Sequence, residues 1–151
     1  MPLRICQVAS EAAPFAKTGG LGDVSSALTR YLARAGHDTR LFVPLYKSLK
    51  PSGQAFKPVS FLTDVPLSLG GRALRYTVFT AALPGGGPPA YFVGCPALYD
   101  RAGIYAQDGD EHLRFAFLTR AALESCQRMG FAPHIVHAHD WQAALAPLYL
   151  R

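Results

Sequence analysis

A chain of 151 residues that is half hydrophobic and only 17% charged is long enough for one folded domain with a sizeable core. Its formal charge of +5 is spread from Arg4 to Arg151 with no dense basic run, which argues against a nucleic-acid binder and leaves general surface charge suited to an anionic ligand. The three cysteines share no CxxC spacing, no apolar run approaches membrane-spanning length and residues 1–15 lack a signal peptide's apolar stretch, so reduced thiols in a cytoplasmic protein with no membrane partner are expected.

The first predicted element is a buried strand at residues 3–9, LRICQVA. A long connection over residues 10–22 follows, and Asp23 is placed to cap the next helix. In that helix Val24, Ala27, Leu28, Tyr31, Leu32 and Ala35 recur at helical spacing and are expected to face the core, with Ser25, Arg30 and Arg34 toward water. Gly36 stops it, and TRLFVP at residues 39–44 is a second strand, so the unit predicts a right-handed βαβ crossover in a parallel sheet. Residues 59–69 and 72–83 are strand-like and separated by Gly70-Gly71, the signal of an inserted antiparallel hairpin. A PGGGPP loop at 84–89 leads into a short strand, AYFVG. A helix is expected from about residue 110 to 129, with Arg120, Glu124 and Arg128 on a wet stripe and Leu118, Ala121, Ala122 and Met129 inward. HIVHA, residues 134–138, is the next buried strand and runs into HDWQ and a helix beginning near Trp141. The stop at Arg151, within or just after that helix, suggests a piece of something larger.

Three segments carry chemistry. KTGGLGD, residues 17–23, puts a lysine beside a glycine-rich turn that opens a helix, an arrangement of ammonium and bare amides suited to a phosphate or diphosphate. The glycines sit at 19, 20 and 22, so neither the dinucleotide fingerprint nor the Walker A spacing is present, and a turn needed only for backbone geometry is an equal reading. In HIVHAHDWQ, His137 and His139 share a face of the strand, and either a hydrogen-bonded pair in a crevice or sugar recognition beside Trp141 fits better than zinc. In LYDRAGIYAQDGDEHLRF, the carboxylates of Asp108, Asp110 and Glu111 fit the start of a helix on dipole grounds alone.

Taken in order, ICQVASEAAPFAKTGGLGDV, LYDRAGIY with DEHLRF, and VHAHDWQAALAPLYL resemble the N-terminal region of bacterial glycogen synthases and plant starch synthases. The resemblance implies an α/β fold class: a Rossmann-like, mainly parallel sheet with an inserted antiparallel hairpin, residues 1–151 forming the N-terminal lobe of a two-lobed glycosyltransferase. It implies transfer of glucose, with retention, from an ADP-glucose donor to an α-1,4-glucan acceptor, needing neither cofactor nor metal, with a C-terminal lobe of the same protein as partner. By that resemblance Lys17, Gly19 and Gly20 meet the donor phosphate, and Asp23 orders the turn or meets the donor sugar. His137 and His139 match the HAH pair at the cleft floor, with His139 favoured for the glucosyl contact. Tyr99 and Asp110 help shape the sugar pocket, and Glu11 serves the acceptor glucan. The rival expectation is a non-catalytic module that binds glucan or nucleotide sugar; a flavodoxin-like phosphate-binding domain stands further off.

Overall fold

The computed structural model describes residues 1–49 and 55–151. In chain order the elements are strand β1 (Arg4–Val8), helix α1 (Gly20–Arg34), and strands β2 (Asp38–Pro44), β3 (Lys57–Pro58), β4 (Val65–Leu69), β5 (Arg72–Ala82) and β6 (Pro89–Gly94). Then come a short helix α2 (Pro96–Tyr99), the long helix α3 (Glu111–Arg128), strand β7 (Ile135–Ala138) and a last short helix α4 (Ala146–Tyr149).

The sheet runs β3-β5-β6-β2-β1-β7, with β4 also paired to β5. β6, β2, β1 and β7 are mutually parallel, and β5 lies antiparallel to β6. Chain order among the parallel strands reverses between β1 and β7. The loops after these two strands therefore diverge to opposite faces and leave a crevice at their carboxyl ends, where open α/β sheets bind ligands. The expected inserted hairpin is β4–β5, turned by Gly70 and Gly71 at φ 57° and 74°; two successive positive φ values are what a two-residue turn between twisted strands requires.

The two long helices cover opposite faces. Gln7 of β1 meets Thr29 of α1 across one face, and Cys6 meets Cys126 of α3 across the other. Phe115, Phe117, Leu118, Ala121 and Ala122 of α3 join Val8, Phe42 and Phe92 in one buried core. The wet stripe on α3 is as predicted, with Arg128 held by Glu124 at 2.8 Å.

Helix α1 differs from its apolar pattern. Ser25, Ser26 and Thr29 are fully buried, whereas Val24 and Tyr31 are 55% and 69% exposed. The reason is chemical. Each buried hydroxyl donates to a carbonyl: Ser25 to Glu11 (2.7 Å), Ser26 to Ala13 (2.7 Å) and Thr29 to Ser25 (2.7 Å). Small hydroxyl residues let the helix sit close to the loop and satisfy its backbone, which an apolar stripe leaves unpaired. The cap moves too: α1 begins at Gly20 behind Gly19, and Asp23 lies in its first turn.

Two further expectations change. Within residues 59–69 only β4 is strand, because Ser60–Leu62 makes a 3-10 turn and Asp64 adopts φ 54°. After β7, Trp141–Ala143 is a 3-10 turn and α4 is a separate helix, since Pro147 lacks the N–H that a continuous helix needs there. Ser25→Ala should lower the unfolding free energy by about 1–3 kcal/mol through the orphaned carbonyl, while Tyr31→Ser should stay within about 0.5 kcal/mol. Urea unfolding of the two variants checks the ranking; equal costs would contradict the buried polar face.

Candidate functional site

The loop leaving β1 folds back on itself, with Ala12 and Ala16 exchanging both backbone hydrogen bonds at 2.9 Å. That turn aims Thr18 and Gly19 at the Glu11 side chain. Thr18 N–H (2.8 Å) and Gly19 N–H (3.3 Å) donate to Oε2, and the Thr18 hydroxyl (2.7 Å) and Tyr105 hydroxyl (2.7 Å) donate to Oε1. Burial alone raises the Glu11 pKa, but these donors outweigh it and hold the carboxyl below its ordinary range. Tyr105 in turn accepts from Ser10 Oγ (2.8 Å) and Gln142 Nε2 (3.2 Å).

Lys17 Nζ lies 2.7 Å from Asp23 Oδ2, and both side chains are about half exposed. Gly22 is the tight glycine: a Cβ there would meet Ala16 O at 3.2 Å and the Lys17 side chain at 3.3 Å. At Gly19 and Gly20 a Cβ would meet nothing within 4 Å. Those two positions face open space, and the amides of the first turn of α1 have no partner inside the helix.

The strand alternation places His137 and His139 together as expected, their rings stacked at 4.1 Å and 9°. His139 is buried, its Nε2 3.0 Å from Gln7 Oε1, and its backbone N–H continues the ladder to Val8 O at 3.0 Å. Burial, with the neighbouring His137, pulls the His139 pKa down to about 4, so the ring is neutral at physiological pH. The next residue, Asp140, sits at φ 60°, ψ −172°, a conformation costly for a side-chain-bearing residue, and its carboxylate accepts the Trp141 N–H at 2.7 Å. Trp141 stands edge-on to Phe115 at 5.4 Å and remains 54% exposed.

A cleft of about 440 Å³ opens at the β1/β7 crevice, and Lys17, His137 and His139 stand outside its lining. Its floor is Glu11, Gly19, Gly20 and Leu21, and its wall is Tyr105, Glu111, Asp140, Trp141 and Gln142. A second, apolar concavity of about 400 Å³, bounded by Phe131, Pro133 and Tyr149, lies at the opposite, amino end of β7.

A family model described as the starch synthase catalytic domain matches residues 4–151. The chain belongs to that starch synthase family. Glycogen synthase 1 of Geobacter sulfurreducens is 41% identical over 153 residues, which cover 98% of this chain and 30% of the relative. Glycogen synthase of Aeromonas salmonicida is 41% identical over 154 residues, 99% of this chain and 31% of the relative. The catalytic domain of starch synthase IV from Arabidopsis thaliana, solved with ADP and acarbose bound, aligns with a TM-score of 0.87 and 32% identity. That alignment covers 99% of this chain and 30% of the other, and the Rossmann-like sheet described above is the N-terminal lobe of the shared fold. The chain thus spans under a third of the length of these relatives.

Within this starch synthase lobe, the expected site residues fall in different places. Tyr99 is wholly buried and its hydroxyl donates to Arg114 O at 2.9 Å, so it packs the core and has no surface for a sugar. Asp110 is outside the cleft wall; Arg101 takes its Oδ2 at 2.8 Å, and Glu111 stands in the wall instead. Glu11 reaches the floor, but its four lone-pair sites are filled by four donors of its own chain, which removes it as a free acceptor for glucan hydroxyls. Gly19 directs its N–H at Glu11, leaving Gly20 as the first uncommitted glycine of the turn. Tyr105 stands in the LYDRAGIYAQDGDEHLRF motif without a role read for it, and Gln7, Thr18 and Gln142 are given none; Gln7 leaves a trace as a polar residue inside a buried strand.

The buried histidine fixes an acid response. Its folded pKa lies below the ordinary 6.5, so the unfolded chain takes up the proton first; stability is full above pH 6.5 and is lost as pH falls toward about 4. The loss attributable to His139 is at most about 3 kcal/mol. Glu11 adds a component lost at lower pH, as its carboxylate takes up a proton. Urea unfolding of the wild type and His139→Gln across this range should show a shallower slope for the variant; parallel slopes would mean that the ring is not buried in its neutral form.

Proposed function

We propose that this chain is the first lobe of a retaining glucosyltransferase that moves glucose from ADP-glucose to the non-reducing end of an α-1,4-glucan. A second lobe of the same protein closes the cleft and holds most of the nucleotide. The observation that carries this reading is one juxtaposition. The turn and helix start after β1 (Glu11, Gly19, Gly20 and Leu21) and the segment after β7 (Asp140, Trp141 and Gln142) line one cleft, although at least 119 positions separate them in sequence, and Lys17 and the stacked histidines flank these two segments in the chain. Membership of the starch synthase family, and a relative that holds ADP and acarbose together, support the choice of ligands.

The chemistry follows from the groups present. Breaking a sugar–phosphate bond leaves negative charge on the diphosphate, and an ammonium with oriented amides stabilises that charge as it develops. Lys17 is held only by an exposed pair with Asp23, worth about 0–1 kcal/mol, so it re-pairs to a diphosphate at little cost. The open space at Gly20 lets the donor approach the first turn of α1. Positive character builds at the anomeric carbon, and a neutral His139 avoids adding a like charge beside it. Trp141 offers an apolar face to a sugar ring, and Gln142 Oε1, buried and unpartnered among the described residues, offers an acceptor to a hydroxyl.

Incubated with labelled ADP-glucose and a glucan primer, the chain alone should elongate nothing; clear elongation would overturn the two-lobe reading. The site is tested in a chimera in which this chain replaces the matching region of Geobacter sulfurreducens glycogen synthase 1. There Lys17→Ala should lower kcat/KM by roughly a hundredfold, and unchanged kinetics would remove its role. Gly20→Ala should leave the melting temperature unchanged or slightly raised, because nothing lies within 4 Å and alanine suits a helix, while the donor KM rises. An unaltered KM would place the donor elsewhere.

A further inference from the structure

Gln7 is an anomaly that the donor-site chemistry does not use. It is a fully buried amide in an inner strand of the parallel part of the sheet, where apolar residues are the rule. Its register partners are Leu41 on β2 and His137 on β7, and its side chain lies on the α1 face of the sheet. There its amide nitrogen meets two hydroxyls, Thr29 Oγ1 of α1 and Thr39 Oγ1 of β2, both at 2.9 Å. Its amide oxygen meets His139 Nε2 at 3.0 Å.

The orientation of that amide is decided by proton accounting. A threonine hydroxyl has one proton to give, and Thr29 gives its own to Ser25 O at 2.7 Å. Thr29 Oγ1 can therefore only accept from Gln7, which requires the NH₂ end of the amide to face it. A flipped amide would set two lone pairs against each other in a site that is closed to water, with Thr29 fully buried and Thr39 nearly so. With the NH₂ end fixed, the oxygen faces His139, and an oxygen only accepts. The proton of that contact must then come from the imidazole.

We propose that Gln7 is a positioning residue: clamped by Thr29 and Thr39, its amide oxygen takes the Nε2 proton of His139 and fixes that ring as the Nε2–H tautomer. Nδ1 is left as the lone-pair nitrogen, an acceptor for a ligand hydroxyl. The stacked His137 ring restrains the plane while Gln7 sets the tautomer and rotation. The chain of bonds runs from Ser25 O through Thr29, Gln7 and His139, so the helix that begins at the glycine turn also orients the histidine after β7. The use of Nδ1 toward a sugar rests on the transferase reading above; the tautomer does not.

Ring ¹⁵N shifts of His139 in the 151-residue chain at neutral pH, without substrate, test the relay directly. The expected result is a pyrrole-type Nε2 and a pyridine-type Nδ1. The reverse assignment, or a doubly protonated ring, overturns the proposal whatever the protein's activity. Gln7→Met keeps the length of the side chain and removes the amide, and should give mixed tautomers. Should that variant not fold, the paired change Thr29→Val with Thr39→Val frees the amide to flip and should move the ring toward Nδ1–H, whereas Thr29→Ser should keep the wild-type signature. A wild-type signature in every folded variant overturns the clamp. In the chimera, Gln7→Met should lower kcat roughly 3- to 10-fold, the scale of one hydrogen bond, with donor KM little changed. Tautomer loss with unchanged kcat would retain the relay and reject only the use of Nδ1 on substrate.

Discussion

The crevice exists in its present form because helix α1 lies against β1 and its loop through hydroxyls instead of hydrocarbon. Ser25, Ser26 and Thr29 make a buried polar seam: Ser25 and Ser26 satisfy loop carbonyls that would otherwise be stranded away from water, and Thr29 bonds back to Ser25 O of its own helix. Each bond contributes only about 1 kcal/mol net, but breaking one exposes the larger penalty of an unsatisfied buried group. The seam thus specifies one placement of the helix against the loop, since apolar contacts alone are non-directional. Through Ser25 it holds the Glu11 backbone, through Ser26 the Ala13 backbone, and through Thr29 the amide of Gln7.

Charge in the site is arranged in two grades. The Glu11 carboxylate is buried under four donors and is part of the frame; taking it away would leave the Thr18 and Gly19 amides and two hydroxyls without their acceptor. The Lys17–Asp23 pair is exposed and screened, so it is readily exchanged. Glu111 is also committed, to the buried guanidinium of Arg114 and to the Ala106 amide. Fixed groups shape the floor, while the Lys17 ammonium stays available.

The sequence patterns that survived are those whose cause is local or strictly periodic. Gly70-Gly71 announced the hairpin because two positive φ values are a property of those two residues. The alternation in HIVHAH put two imidazoles on one face because a strand has no other option. The inward face of α1 was misjudged because hydrophobic periodicity assumes that the helix meets hydrocarbon, and here it meets backbone carbonyls. The contact that Tyr105 makes was illegible for a different reason: its partner Glu11 lies 94 positions away, and nothing local marks the pairing. Motif position also misled at Tyr99 and Asp110, which stand next to the cleft segments in sequence yet turn into the core or toward Arg101.

The balance of charge around the crevice bears on how a transferase built from this lobe must work. Among the described residues its wall and floor hold three carboxylates, Glu11, Glu111 and Asp140, and no basic side chain. Lys17 at the rim is already matched by Asp23. A diphosphate bound against this surface alone would face a net negative field, and one lysine with the first-turn amides of α1 offsets only part of it. Sugar hydroxyls suit the same surface better, since its exposed indole and the unpartnered Gln142 Oε1 are groups that polyols use. On the proposed transferase reading, a second lobe would bring the further cations that a diphosphate needs beside Lys17, and closure would be a condition for the chemical step, because only a closed cleft would join this surface to the charge that stabilises the leaving group.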